Sequence, residues 1–82
     1  MTDADGLVVD ARGLRCPIPV IRLARQAQPL ADGARITVWT TDPAAVHDVP
    51  AWARMRGHAI EGSVDVDAAD GAFTAITVRV GG

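Results

Sequence analysis

The sequence lacks several residue types that would define a site or a compartment. Of its 82 residues only one is a cysteine and none is a lysine. A single cysteine cannot close a disulfide within the chain, so nothing indicates an oxidising compartment. Without lysine there is no side-chain amine for Schiff-base catalysis. The hydrophobic runs are far shorter than the roughly 20 residues of a membrane-spanning helix, and residues 1–6 lack the basic and apolar parts of a signal peptide, so we expect a soluble, cytoplasmic protein.

Patterns typical of metal, phosphate and nucleic-acid binding are also missing. Cys16, His47 and His58 do not have the spacing of metal ligands, and there is no Cys-x-x-Cys pair. Gly13 stands alone rather than in a glycine-rich phosphate loop. The net charge of −2 argues against direct binding of nucleic acid. We therefore expect neither a metal nor a cofactor, and we assign the two histidines to surface or capping roles.

A length of 82 residues is enough for one domain with a modest core, and we expect a single domain over all 82 residues, with residues 1–5 frayed. The predicted strands cover residues 7–10, 34–41, 58–66 and 72–80, and the first helix covers residues 20–30. The segment between the second and third strands begins with Asp42-Pro43, a cap residue followed by proline that is typical of a helix start. The same segment contains Pro50. Because proline disrupts the interior of a helix, we expect a short turn over 43–47 and then a helix that Asp48 caps and Gly57 ends.

The order β-α-β-α-β-β predicts an α+β fold in two layers. The first strand, helix and second strand favour a right-handed parallel crossover, and Asp70-Gly71 is typical of a hairpin turn. Only two helices are available for four half-buried strands, so both helices should cover one face of the sheet. On the third strand Ile60, Val64 and Val66 are expected to share a face, because side chains alternate along a strand.

The lone cysteine lies between the first strand and the first helix, in a stretch rich in glycine and proline. Gly13 permits a turn there, and Pro17 is typical of the first position of a helix. Cys16 is therefore expected at or just before the N-cap, where unpaired amides and the helix dipole favour an anion. We expect the pKa of this thiol to lie below the ~8.5 of a free cysteine.

Arginine is concentrated around the cysteine. All eight basic residues are arginines, and four of them fall within fourteen positions: Arg12, Arg15, Arg22 and Arg25. Such a local positive charge would stabilise a thiolate and attract an acidic protein partner. For Arg22 and Arg25 the alternative is that they solvate the outer face of the first helix.

The residues leave few reactions open to the thiol. A Cys–His hydrolase needs an oriented base and a cleft, and a domain this small offers little room for one. A dithiol oxidoreductase would need a second thiol. A nucleophilic sulfur that accepts a group and passes it on, such as a persulfide carrier, needs little more than Cys16 itself. The alternative is that Cys16 is a small buried hydrophobic residue.

The motif Gly-Leu-x-Cys-Pro-x-Pro resembles that of the TusA/SirA family of small sulfur-relay proteins. Further matches follow along the chain at Thr41-Asp42-Pro43, Asp48-Val49-Pro50, Trp52, Gly57-His58 and Gly81-Gly82. The resemblance implies a two-layer α/β sandwich with a mixed four-stranded sheet. It also implies that Pro17 and Pro19 shape the start of the helix, and that Gly13 permits the loop before it.

The resemblance also implies a function and partners. Cys16 would take sulfane sulfur from a cysteine desulfurase or a rhodanese-like donor and carry it as a persulfide. The sulfur would then pass to an acceptor protein that serves tRNA 2-thiolation, molybdenum cofactor biosynthesis or another sulfur-transfer pathway.

Two other functions remain open. Gly81-Gly82 resembles the end of ubiquitin-like sulfur carriers, which act as C-terminal thiocarboxylates, although those folds begin with a β-hairpin. A non-catalytic regulatory or interaction module of the same fold is also possible, with Trp39 and Phe73 on the exposed face of the sheet as a docking patch.

Overall fold

The computed structural model describes residues 7–81, so the fraying expected for residues 1–5, and Gly82, lie outside the described residues. The elements are β1 (Leu7–Ala11), α1 (Ile18–Ala27), β2 (Arg35–Thr40), α2 (Pro43–Arg56), β3 (Ala59–Ala68) and β4 (Gly71–Arg79). This confirms the predicted order β-α-β-α-β-β. Neither helix is long and apolar enough to cross a membrane.

The four strands form one mixed sheet in the order β1-β2-β4-β3. β1 runs parallel to β2, which confirms the parallel pairing expected from the strand–helix–strand order. β4 is antiparallel to both β2 and β3, and a hairpin joins β3 to β4 as predicted. Its turn is formed by Ala69 and Asp70, one position before the predicted Asp70-Gly71, and Gly71 is the first residue of β4. In this order β4 lies between β2 and β3. The β3–β4 hairpin therefore joins the parallel β1–β2 pair through the antiparallel pairing of β4 with β2.

Both helices pack on one face of this sheet. Alternate residues of β2 point inward, and Ile36 and Val38 are fully buried against Leu23 of α1 and Val49 of α2. Each such aliphatic side chain contributes about 1.5–3 kcal/mol when it is removed from water. The core therefore lies between the helices and the sheet, which leaves the other face of the sheet without a helical layer.

α2 is one continuous helix, so the predicted break at Pro50 is wrong. The helix begins after Asp42, whose side chain accepts a hydrogen bond from the Ala44 N–H, and it ends at Gly57 in a left-handed conformation. Pro50 lies inside the helix and costs it a backbone hydrogen bond. That loss is outweighed by the burial of four residues on the inner face of α2, namely Ala45, Val49, Trp52 and Ala53.

β3 contains an irregularity that the sequence pattern did not predict. The register shifts just after Ile60, so that Ile60 pairs with the buried Val78 but Val64 pairs with Ala75 on the open face. One inserted residue reverses the face of every side chain that follows it. The expectation that Ile60, Val64 and Val66 share a face is therefore wrong, and Val64 is 60% exposed.

Candidate functional site

The parallel pairing of β1 and β2 brings two loops together. The carboxyl ends of parallel strands lie at the same edge of a sheet, so the loop after β1 and the loop after β2 meet there. The Gly13 N–H donates to Thr41 Oγ1 (2.8 Å), and the Cys16 N–H donates to Asp42 Oδ2 (2.6 Å). The loop that carries the cysteine is thus held at two backbone positions by the Thr-Asp pair after β2.

Asp42 joins the cysteine loop to α2. One carboxylate oxygen accepts the Cys16 N–H, and the other accepts the Ala44 N–H (3.0 Å) as the cap of the helix. The Asp42 N–H in turn donates to Thr40 Oγ1 (3.1 Å), which is buried. The hydrogen bond from Cys16, then that from Ala44, lowers the pKa of Asp42. One ionised carboxylate therefore fixes both the loop and the first turn of the helix.

The thiol of Cys16 is partly buried and packs against the edge of the core. Burial, followed by a hydrogen bond to the Asp48 carboxylate and the charges of Asp48 and Asp42, raises the pKa of Cys16 to about 11. The expectation of a lowered pKa is therefore wrong, and the resting thiol is protonated at neutral pH.

The start of α1 explains why it does not stabilise a thiolate. Pro17 is the N-cap and Pro19 lies in the first turn, so neither offers an N–H. The Ile18 N–H donates to the Arg15 carbonyl (2.9 Å), and the Cys16 N–H is taken by Asp42. Two of the positions that a helix N-terminus normally uses to bind an anion thus have no amide, and the Ile18 amide is occupied.

Arg12 lies on the open face of the sheet. Its guanidinium makes two hydrogen bonds to Asp10 (both 2.8 Å) and one to Asp70 (3.2 Å). The guanidinium carbon also lies 5.1 Å and 5.2 Å from the ring centres of Trp39 and Phe73, within the range of a cation–π contact. The hydrogen bond to Asp10 raises the pKa of Arg12. Arg12 thus connects the β1–α1 loop with the β3–β4 hairpin and covers both aromatic rings.

The other three predicted arginines are exposed. The charge of Arg15 contributes to the lowered pKa of Asp42. Arg22 and Arg25 lie on the outer side of α1 and line a groove of about 400 Å³ together with Val8 of β1. None of the four arginines is among the groups that shift the pKa of Cys16, so the expected stabilisation of a thiolate by these arginines is not found. Their part in binding a protein partner stays a prediction.

Three further residues had been assigned to the support of the site. Gly13 has a φ of 79°, in the left-handed region that glycine adopts without strain. Pro17 is the N-cap of α1, one position before the predicted one, and Pro19 is buried in its first turn. The contribution of these three residues to function stays a prediction.

Sequence reasoning missed the carboxylates beside the thiol. Asp42 had been recognised only as a helix cap, although the rule that parallel strands end at a common edge places it next to the loop of Cys16. Asp48 had been assigned as a cap of a broken helix, whereas it lies inside α2 and contributes to the raised pKa of Cys16. Within residues 7–81 no three histidine, cysteine, aspartate or glutamate side chains form a group that could hold a metal ion.

His58 supports the opposite end of the domain. The Gly81 N–H donates to His58 Nδ1 (2.9 Å), and the imidazole lies 5.0 Å from the ring of Trp52. Gly81 has a φ of 68°, and a side chain there would overlap the Asp32 carboxylate. The Gly57-His58 and Gly81 matches thus have a structural explanation, since the Gly81 backbone is hydrogen-bonded to His58, which follows α2 and packs on Trp52 of that helix.

The fold and its single thiol define the class of SirA-like α+β proteins. The crystal structure of a SirA-like protein from Desulfitobacterium hafniense matches with a TM-score of 0.68 and 26% identity, over 93% of this chain and 99% of that chain. It confirms the predicted two-layer fold with two helices and a mixed four-stranded sheet.

Sequence comparisons identify the family within this class. A family model described as sulfurtransferase TusA matches residues 7–80. The sulfur carrier protein TusA of Pseudomonas aeruginosa is 38% identical over 58 residues, which are 71% of this chain and 73% of that protein. A candidate sulfur carrier of Neisseria meningitidis is 34% identical over 68 residues, 83% of this chain and 88% of that protein. The chain belongs to the TusA family of sulfur carriers, and a sulfur carrier requires a donor and an acceptor of sulfur.

Proposed function

We propose that this chain carries one sulfane sulfur atom as a persulfide on Cys16 and passes it to an acceptor protein. The observation that supports this most is the position of the only thiol in the sequence. It is partly exposed, on a loop held by hydrogen bonds from Gly13 and Cys16 to the residues after β2. A carrier needs a thiol that a partner can reach and that no neighbouring thiol can discharge.

The transfer conserves atoms and electrons between donor and carrier. The Cys16 sulfur attacks the terminal sulfur of a persulfide on the donor protein, and a new S–S bond forms as the donor's S–S bond breaks. The electron pair of the broken bond leaves on the donor sulfur, which becomes a thiol when it takes up a proton. Neither an external oxidant nor a cofactor is required, and the same exchange in reverse hands the sulfur to the acceptor.

The donor and acceptor follow from the same chemistry. A cysteine desulfurase or a rhodanese-like protein presents its sulfur as a protein persulfide and would suit the first exchange in the cytoplasm. The acceptor would serve tRNA 2-thiolation, molybdenum cofactor biosynthesis or another sulfur-transfer pathway. Arg15, Arg22 and Arg25, which are exposed near or on α1, would favour partners with an acidic docking surface.

The test is to load the purified chain with a cysteine desulfurase and cysteine, and to measure its intact mass. The wild type is expected to gain one sulfur atom, and a folded Cys16→Ala variant none. Loading of Cys16→Ala would contradict the proposal. A chain truncated after Val80 is the matched control for a C-terminal thiocarboxylate, and it is expected to load like the wild type.

A non-catalytic module is tested in cells. If this chain acts only by binding, Cys16→Ser would restore function to a deletion strain as well as the wild type does. Persulfide carriage predicts that Cys16→Ser fails.

A further inference from the structure

The outer edge of β1 is available for pairing with another strand. β1 pairs with β2 on one side only, and within residues 7–81 it is an edge strand of the sheet. The backbone N–H and C=O groups of alternate residues point to opposite sides of a strand, so those that point away from β2 have no strand partner there. Such a row of unpaired groups can bind an extended segment of another chain as an additional strand.

A groove runs beside this edge, with the outer side of α1 as its second wall. The groove has a volume of about 400 Å³. Its walls are formed by three residues of β1 and three of α1, namely Val8, Val9, Asp10, Arg22, Arg25 and Gln26. An extended segment that adds to an edge strand gains affinity from main-chain hydrogen bonds and specificity from the side chains that line the groove. The side chains of α1 would therefore select the occupant.

The groove carries positive charge. Arg22 and Arg25 are exposed and lie on the same side of α1, and within the described residues neither forms an ion pair. The carboxylate in the groove, that of Asp10, is already bound by Arg12 through two hydrogen bonds of 2.8 Å. Because every second side chain of a strand points the same way, a segment with carboxylates at alternate positions would present them to both guanidinium groups.

We propose that an extended acidic segment of a partner protein binds along β1 as an additional strand, with its carboxylates on Arg22 and Arg25. This inference deepens the proposed function and rests on it for the kind of partner, since it gives the form in which an acidic partner of the sulfur carrier is recognised. The groove does not include Cys16 or the residues that hold its loop, so the segment need not cover the thiol.

A second copy of this chain suits the groove less well. Two β1 edges that paired would bring the same arginines of both copies together, and like charges repel. The other edge strand, β3, carries Glu61, Asp65 and Asp67, and its register shifts at Glu61. Charged side chains and bulges are features that keep an edge strand from pairing. The occupant is therefore a segment of a different protein.

The test uses a short capped peptide in which glutamate alternates with valine, and a matched peptide with glutamine in place of each glutamate. Each peptide is titrated into the isotope-labelled full chain, and amide shifts and hydrogen exchange are followed by NMR. The glutamate peptide is expected to shift amides of β1 and α1, and to slow exchange of the β1 amides that point away from β2, because these become hydrogen-bonded. The glutamine peptide is expected to bind more weakly.

Variants of the chain and of the peptide separate strand addition from charge attraction alone. Arg22→Gln and Arg25→Gln are each expected to weaken binding roughly two- to fivefold, the size of one exposed ion pair. Arg54→Gln makes the same charge change on α2, outside the groove, and is expected to bind like the wild type. N-methylation of one alternate set of peptide amides is expected to abolish binding and of the other set to preserve it, because only every second amide faces β1.

Binding without slowed exchange in β1, or equal effects of the two N-methylated sets, would overturn strand addition. The absence of any amide shift at millimolar peptide would overturn it as well. Self-association of the free chain that Arg22→Gln abolishes would assign the edge to a second copy and contradict the inference.

Cys16→Ala is expected to bind the peptide like the wild type, so the two proposals fail separately. A chain that binds the peptide but takes up no sulfur would overturn the proposed function. A chain that takes up sulfur from a small persulfide but does not bind the peptide would overturn this inference alone.

Discussion

At the scale of single residues, Cys16 is held as a thiol by the groups around it. Its pKa of about 11 arises from burial and from two carboxylates. The chain has no lysine and no tyrosine, which are the other side chains that titrate near pH 10, and arginine stays charged to beyond about pH 12. The thiol is therefore the only side chain that changes its charge between about pH 9 and 11, and its titration can be followed without interference.

This pKa predicts a loss of stability at high pH. The folded-state pKa is above the value of 9.0 expected for an unperturbed thiol, so the bound proton stabilises the folded chain fully below about pH 8.5. That contribution is lost as the pH rises through 11. Urea unfolding of the wild type and Cys16→Ala should show a difference in unfolding free energy that is constant near neutral pH and falls by roughly 2–3 kcal/mol toward high pH. A difference independent of pH would contradict the raised pKa.

The cysteine could be identified from the sequence, but its electrostatic environment could not. Local sequence rules predict that a cysteine just before a helix-starting proline lies beside free backbone amides. They also predict that the neighbouring arginines are close to it. In the structure the Cys16 and Ile18 amides are occupied and Arg12 binds Asp10 and Asp70. The charge of Asp48, on the second helix, contributes to the raised pKa of the thiol. These contacts depend on how α2 packs, and the spacing of residues within the cysteine loop does not predict that packing.

At the scale of elements, α2 shows how packing and caps outweigh one unfavourable residue. Asp42 caps the helix at its start, and Gly57 ends it with φ 77° and an N–H bonded to the Ala53 and Arg54 carbonyls. Pro50 alone predicted a break, because the local rule counts the lost hydrogen bond but not the buried face. The caps and the stop at Gly57 were predictable from sequence, whereas the continuity of the helix was not.

The C-cap of α2 gives a stability prediction with a matched control. Gly57 and Gly62 both have open space where a side chain would begin, but only Gly57 has a positive φ. Gly57→Ala is expected to destabilise the chain by about 1–2 kcal/mol, the cost of a left-handed conformation for an L-residue. Gly62→Ala is expected to be nearly neutral in the same urea titration. Equal effects of the two substitutions would show that the backbone conformation at Gly57 is not what matters.

The irregularity in β3 marks a limit of periodic patterns. Ile60 belongs to the helix side and Val64 to the open side, because the register shifts between them. The two-residue alternation of side chains along a strand predicts the face of each residue only when no residue is inserted, and the alternation alone does not show an insertion. In β2, which has no such shift, the alternation is regular and Ile36 and Val38 are both buried.

At the scale of the whole molecule, element order was enough to predict the architecture. Two helices and four strands in this order leave one sheet face covered and one open. The contact that joins the distant parts of the open face, from Arg12 to Asp70, links positions 58 residues apart and could not be read from the sequence. Arg12 had been predicted from its charge as a docking residue, and its fixed position on Trp39 and Phe73 also makes it part of the folded structure.

Removal of the Arg12 side chain is expected to loosen this connection. Arg12→Ala should lower the thermal midpoint and shift the emission of Trp39 to longer wavelength, because the ring loses its cover. The emission is measured in a Trp52→Phe background, since the second tryptophan would otherwise contribute. Arg22→Ala on the outer side of α1 is the control and should change neither quantity. An unchanged midpoint and emission in Arg12→Ala would show that the contact does not hold the open face together.

The most direct test of the central claim locates the transferred sulfur atom. After loading with a cysteine desulfurase and cysteine, thiols and persulfides are alkylated and the chain is cut with trypsin, which cleaves after arginine. The peptide of residues 16–22 contains the only thiol. The account predicts that this peptide alone gains one sulfur atom, and that the gain disappears when the loaded chain meets an acceptor thiol. Sulfur found on any other peptide, or none found on residues 16–22, would contradict it.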